Sequence, residues 1–231
     1  MPLALAPLGT ANNIARTLGL KDTTENLLRG LAAPQKRPFD LGLIHAPWGA
    51  SLFLEAFGFG MFAQGLAFYR PDAPKSLLRA ARAAVRTLKH YEAREWLLEL
   101  DGEDLSNRYL MGELMNTAAM GLRLRLAPGA DPSDGVFDLV LVREDKSVGI
   151  DDYIVKLTAG HLENLPNVTV RRGRRLKLQW DGLPLHFDEE IRGAEDGSVL
   201  GGSEGGALVV EMQPGALELW LPQTIHPEER P

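Results

Sequence analysis

The sequence predicts an α+β protein: an opening βα fragment, then a mainly antiparallel β-sheet domain. Three observations carry this. Short runs rich in Val, Leu and Phe recur from residue 39 to residue 221, broken by Gly, Pro and Asp-Gly turns, the pattern of a sandwich or a barrel. Helical periodicity is confined to a few segments. The first twenty residues read strand, Gly-Thr loop, helix, which is half of a βα unit. The 231 residues are 45% apolar and 24% charged, a balance that supports a sizeable core and excludes a disordered tail or a collagen-like repeat.

Residues 3–6 form a short apolar run between prolines, and 8–13 turn into a helix over 14–18 that Gly19 can close in a left-handed cap. A second helix starts at Thr23 or Thr24 and ends before Pro34. Strands are expected at 41–45, 51–57, 95–100, 109–116, 123–126, 137–142, 168–170, 176–180, 185–188, 208–212 and 217–221. Asp101-Gly102 is a hairpin signal. Leu77, Leu78, Ala81, Val85 and Leu88 keep the helical period and predict a helix over about 73–90, and a weaker one covers 150–162. The glycine-rich stretch 193–206 reads as a surface loop. A βα unit needs a neighbouring parallel strand and its crossover. Nothing before Met1 supplies them, so the chain reads as one that begins inside a domain.

Lys plus Arg number 25 and Asp plus Glu 31, a net charge of −6, which argues against a dedicated nucleic-acid binder. The absence of cysteine excludes disulfides, thiolate metal sites and cysteine nucleophiles. The longest apolar run, 56–63, falls far short of the roughly 20 residues that cross a membrane. No cation precedes the first apolar stretch, so no secretory signal is expected. A cytoplasmic protein is the expectation.

Several constellations can carry chemistry, each beside a plainer reading. Gly9-Thr10-Ala11-Asn12-Asn13 could present backbone N–H groups to a phosphate, or simply cap a helix. Asp188 and Glu190, two apart on a strand, would share a face and could combine a general base with a cation ligand; the plainer reading is a solvated acidic turn. Asp134, with carbonyls from its own loop, could seat a hard cation, or the loop could be closed by Asx turns. Lys75, Arg79, Arg82, Arg86 and Lys89 form one stripe, and Arg171, Arg172, Arg174, Arg175 and Lys177 a second cluster. Both suit an anionic membrane surface or a solvated face. The stretch 53–69, with five phenylalanines, reads as core before it reads as a lipid cleft. Gly201-Gly-Ser-Glu-Gly205 has the spacing of a hydrolase elbow, but no strand leads in and no helix follows.

These motifs occur in an order that resembles the diacylglycerol kinase catalytic-domain family, which includes bacterial lipid kinases and sphingosine kinases. Pro7-Leu-Gly-Thr-Ala-Asn-Asn-Ile-Ala-Arg16 is similar to its P-x-G-T-x-N-D-x-A-R segment, and Phe39-Asp-Leu-Gly42 to its D-L-G entry to the second domain. The run 53–63 resembles F-x-x-x-x-G-x-x-A, and Asn116 a mid-domain Asn. The stretch 128–138 resembles P-x-A-x-x-x-D-G-x-x-D, Asp188-Glu-Glu190 its D-G-E, and 217–222 its closing strand. The resemblance implies a β-sandwich domain at 38–213, a remnant of an α/β nucleotide-binding domain at 1–37, and a closing strand and tail at 214–231 that return towards the first part. It implies transfer of the γ-phosphoryl group of ATP, with Mg²⁺, to a lipid hydroxyl by a cytoplasmic protein peripheral to the membrane. Asp188 would be the base and Glu190 would help hold the catalytic Mg²⁺. Gly9, Thr10 and Asn12 would line the nucleotide site. The Asp134 side chain and the carbonyls of Asp131 and Val136 would bind a structural cation. The expected partners are a lipid substrate, an anionic membrane surface met by the 75–89 stripe, and a second copy of the chain; nucleic acid is not among them.

Three departures accompany the resemblance. The family's G-G-D-G-T phosphate loop, upstream of P-x-G-T, is absent from these residues. Asn13 stands for the usual Asp, and Glu189 for the Gly between the two acids. The alternative to a kinase is a non-catalytic lipid-binding module derived from one. Reading the gene upstream of Met1 for G-G-D-G-T separates the two.

Overall fold

A computed structural model describes residues 2–9, 11–20, 24–67, 91–121, 123–193 and 206–222. The expected 73–90 helix with its cationic stripe, Thr10, and nearly all of the 193–206 loop lie outside the described residues.

The elements in chain order are β1 (Pro2–Ala4), α1 (Asn13–Thr17), α2 (Thr24–Gly30), β2 (Gln35–Ala46), β3 (Gly49–Phe53), β4 (Ala56–Gly60), α3 (Met61–Ala67), β5 (Arg94–Trp96), β6 (Leu98–Leu100), β7 (Glu103–Asp104), β8 (Asn107–Met115), β9 (Phe137–Arg143), α4 (Ile150–Ala159), β10 (Val168–Gly173), β11 (Arg175–Trp180), β12 (Leu185–Phe187), β13 (Glu190–Arg192) and β14 (Gly206–Leu221). They build two seven-stranded sheets. The first runs β3-β2-β14-β11-β6-β7, with β1 added beside β14; the second runs β10-β9-β8-β4-β12-β13, with β5 added beside β8. Every pairing is antiparallel except β1 with β14.

Period-two patterning decides which way each strand faces. In β11, Leu176, Leu178 and Trp180 are buried while the residues between them are exposed or half-buried. These three meet Ile44, Phe53, Phe57, Phe59, Leu114, Phe137, Leu139 and Val210 in the core between the sheets. Burying each such side chain contributes about 1.5–3 kcal/mol, so a one-residue slip would cost the whole set. Strands β4 and β9 are buried nearly throughout because the second sheet is covered on its other face too. There Met115, Val140 and Val142 pack with Tyr153 of α4 and with Leu162 and Leu165. A third cluster joins Ala15, Leu18 and Leu27 of the helices to Phe39 and Leu219.

The helix over 14–18 is α1, and Gly19 (φ 77°) closes it, with Leu20 N–H donating to Ala15 O and Gly19 N–H to Arg16 O. Asp101-Gly102 forms the two-residue turn between β6 and β7, both residues at positive φ. Other expectations need correction. The run 51–57 is two strands, because the chain passes from one sheet to the other at Leu54–Glu55. The run 95–100 splits likewise, with exposed Leu97 between β5 and β6. Residues 123–126 form only an isolated bridge, Met120 with Leu124, since Gly121 and Arg123 both take positive φ. The runs 208–212 and 217–221 are one strand, β14, whose register shifts between Gln213 and Leu217. The opening strand has a parallel neighbour downstream: Pro2, Leu3 and Ala4 pair with Glu218, Leu219 and Trp220.

Candidate active site at the corner between the sheets

The corner at Leu54–Glu55 is held from the β12–β13 turn. Asp188 Oδ2 accepts the N–H of Leu54 (2.8 Å), and Oδ1 accepts those of Glu55 (2.8 Å) and Ala56 (3.2 Å). Asp188 N–H donates in return to Ala56 O at 2.9 Å. Its φ of 50° lies in the left-handed region, which Asp tolerates better than most residues. The expected shared strand face of Asp188 and Glu190 does not form. β12 ends at Phe187, which pairs with Glu190 across the two-residue turn, and exposed Glu190 meets Arg192 at 2.8 Å. Asn116 stitches the same corner from β8's end: Nδ2 donates to Asp40 O and Leu54 O, and its N–H to Glu55 O. Asp40 in turn accepts the N–H groups of Gly135 and Gly215, both at 2.7 Å.

Glu55 is the site residue that the sequence motifs did not single out. Its side chain is half-buried, and Oε2 accepts a hydrogen bond from Asn13 Nδ2 at 3.1 Å. Burial pushes its carboxyl up to about 7, the charges of Asp188 and Glu189 add to this, and the Asn13 hydrogen bond opposes it. Asn13 is itself buried and also donates to Gly121 O at 2.9 Å. An Asp at 13, as the resemblance leads one to expect, could make neither donation and would set a second carboxylate against Glu55. Asn at 13 and Glu at 55 are therefore one physical choice. The signal in the sequence was the Asn13 departure, readable only once its partner is known.

Asn13 ties this corner to the 9–12 loop. Asn12 precedes α1 at φ 54° and turns its side chain back, Nδ2 donating to Pro7 O at 3.0 Å. Gly9 lies against it: a Cβ there would meet Asn12 Oδ1 at 3.1 Å. Arg16 and Arg123 both direct Nε to Ala11 O, at 3.2 and 3.4 Å, so two guanidiniums bracket the loop. Arg123 is a second residue that the sequence reading missed, because it was assigned to a strand.

The 128–136 loop has the Asx closure of the plainer reading. Asp131 Oδ1 accepts from Ser133 N–H and Oγ and from Arg37, Asp131 O accepts from Asp134 N–H, and Asp134 Oδ1 accepts from Val136 N–H. Asp134 Oδ2 is ion-paired with Arg172. A guanidinium thus stands where the expected structural cation would bind, and this arrangement does not fit one. Among the described residues no three His, Asp or Glu side chains converge as metal ligands. Mg²⁺ in phosphoryl transfer commonly rests on one or two carboxylates, water and substrate phosphates, and the acids of the corner fit that lesser demand.

The second cationic cluster is largely neutralised by its neighbours. Arg171 meets Glu103, Arg172 meets Asp134 and Asp138, Arg175 meets Glu211 and Lys177 meets Glu99, while Arg174 donates to Gly135 O. At the other end of β4, about 13 Å from Ala56 at the usual strand rise, Gly60, Gln64, Tyr91, Arg94, Trp96, Leu183 and Pro184 line a cleft of about 290 Å³. Between the two lies a sealed pair, His186 Nε2 and Glu113 Oε2 at 2.9 Å, both side chains 0% exposed.

The comparisons with known proteins agree with this architecture. A protein of Pseudomonas fluorescens named "Probable lipid kinase YegS-like" is 28% identical over 238 residues, covering 96% of this chain and 69% of that one. A diacylglycerol kinase of Mycobacterium tuberculosis is 24% identical over 83% of this chain and 63% of its own length. The chain thus spans about two thirds of the length of these relatives. A solved structure of a diacylglycerol kinase from Bacillus anthracis shares the fold, with a TM-score of 0.64 at 18% identity over 96% of this chain and 69% of that one. The family model of the YegS C-terminal NAD kinase beta sandwich-like domain matches residues 69–221, more than half of the sequence. The two-sheet architecture and this match together place the chain in that family.

Proposed function

We propose that this chain is the lipid-facing portion of a kinase that transfers the γ-phosphoryl group of ATP to a lipid hydroxyl, with diacylglycerol or a sphingoid base as the acceptor class. The observation that carries the reading is the Asn13–Glu55 hydrogen bond. It brings the segment that resembles a nucleotide loop, at Gly9 to Asn12, against the acid corner that holds Asp188. Phosphoryl transfer needs positioning, charge neutralisation and one proton acceptor, and the corner offers acids for the last two tasks. Mg²⁺, held by phosphates and by the corner acids with Glu190 near them in sequence, would neutralise developing charge. The relatives named as lipid kinase and diacylglycerol kinase support the same reading. A cytoplasmic protein that works at the membrane surface is consistent with it, and among the described residues no helix is long and apolar enough to cross a bilayer.

The alternative reading is a lipid-binding module without turnover, derived from such a kinase. Incubation with labelled ATP, Mg²⁺ and either dioctanoylglycerol or sphingosine separates the two. The kinase reading expects label in one lipid. Lipid binding without label transfer would replace it by the module.

A further inference from the structure

The cleft at the far end of β4 is rich in hydrogen-bond donors. Arg94 and Trp96, two apart on β5, share one face of that strand and both line the cleft. Pairing with Tyr109 and Asn107 of β8 fixes the strand that carries them. A guanidinium and an indole N–H donate and cannot accept. Trp96 is 2% exposed, and its Nε1 finds no acceptor among the described residues. A buried donor left in that state is costly. The Tyr91 hydroxyl is hydrogen-bonded with Arg94, and burial pushes the phenol up to about 12, so it keeps its proton at neutral pH. None of the described residues that line the cleft is acidic. Asp181, whose charge bears on Tyr91, accepts the N–H of Leu183 at 3.2 Å. Leu183 and Pro184 supply an apolar wall.

We propose that this cleft binds a phosphate ester, from a phospholipid headgroup or a soluble metabolite, at a site separate from the acid corner. The guanidinium fork of Arg94 matches two phosphate oxygens at once, and a ligand oxygen gives Trp96 Nε1 the acceptor it lacks. The volume of about 290 Å³ stands at the lower end for small-molecule pockets. It holds a headgroup rather than a whole two-chain lipid. About 13 Å of β4 separates the cleft from Ala56 at the corner, too far for the two sites to share one phosphate. The ester in the cleft is therefore not the group that a kinase would transfer. The site goes beyond the kinase reading and needs no turnover.

The test reads binding and not activity, so its failure and that of the kinase reading are distinguishable. In nitrogen–proton NMR of the whole chain, the indole resonance lost in Trp96→Phe is followed in the wild type. It should move saturably as glycerol phosphate is added and stay in place with glycerol. Arg94→Gln changes an exposed side chain, so its melting curve should match that of the wild type. Its apparent affinity for glycerol phosphate should fall at least about tenfold, and Tyr91→Phe should weaken binding less. A Trp96 resonance unmoved by millimolar glycerol phosphate, moved equally by glycerol, or moved equally in Arg94→Gln overturns the proposal. Flotation with phosphatidylcholine vesicles containing phosphatidylglycerol then identifies the source. Capture that glycerol phosphate competes away and Arg94→Gln weakens assigns the cleft to a lipid headgroup. No capture, or capture indifferent to both, assigns it to a soluble ester.

Discussion

Two acidic sites lie within a few residues of each other on β4, β8 and β12, and they have opposite characters. Glu113 and His186 face each other at 2.9 Å with no solvent contact, and Gly58 between them leaves no room for a Cβ, which would fall 2.1 Å from Glu113 Oε2. Glu55 and Asp188 sit at the end of the same strands, half-buried, held by amides and backbone N–H groups. The first pair is sealed from solvent, although Glu113 Oε1 and His186 Nδ1 have no further hydrogen-bond partner among the described residues. The second leaves a carboxyl with access to solvent and no cation paired to it among the contacts described above. What separates structure from chemistry here is access and partner type, not residue type.

The largest effect should come from opening the sealed pair. His186→Leu leaves Glu113 buried without its partner, and urea denaturation should show a loss of about 3–5 kcal/mol. A second change, Glu113→Leu, should restore a substantial part. If His186→Leu alone is neutral, the pair is not the structural element described here.

Glu55 should act in the opposite sense. Its folded carboxyl is raised from 4.5 to about 7, so folding holds the proton more tightly than the unfolded chain does. Stability is then greatest below pH 4.5 as far as this group is concerned, and it falls as pH rises through 7. Glu55→Gln should remove that loss and make the protein more stable than wild type at pH 8, by up to about 3 kcal/mol. Melting temperatures of both proteins between pH 5 and pH 8 check the sign.

Asp188→Asn should cost stability by about 1–3 kcal/mol, because one of its two oxygens becomes a donor facing N–H groups. A strand-end acid reads from sequence as dispensable to the fold; the three N–H contacts to residues 54–56 are the physical reason it is not. Equal denaturation midpoints for wild type and variant would show those contacts to be weak. The smallest effect is expected on the surface. Arg175→Ala removes an exposed pair with Glu211 and should shift stability by less than about 1 kcal/mol. Pelleting with phosphatidylglycerol vesicles should not change, since that cluster's charge is already balanced by Glu99, Glu103, Asp134, Asp138 and Glu211.

The comparison also marks what sequence reading can reach. The β11 alternation, the Asp101-Gly102 turn and the Gly19 cap were legible because each is a local rule expressed in neighbouring residues. The sheet changes at Leu54–Glu55 and Leu97 were not. Apolar runs continue through both, and only the partners of each strand reveal the break. Asp188 was legible as a site by its place in an ordered motif set, while its actual partners lie more than 130 residues away along the chain. Glu55 was invisible for the same reason: an isolated Glu in an aromatic run acquires meaning from Asn13, 42 residues earlier.

The long final strand has a consequence for how the molecule is made. β14 pairs with β2 over ten residue pairs, with β11 over six and with β1 over three. It lies at the centre of the first sheet but is the last strand described in the chain. During synthesis at about 5–20 residues per second, β1 and β2 must wait for more than 150 further residues, on the order of ten seconds or longer, before their neighbour leaves the ribosome. The second sheet, β4 to β13, has all its strands earlier and can assemble first. The nascent protein therefore exposes one finished sheet and the loose edges of the other until β14 arrives to join β1, β2 and β11.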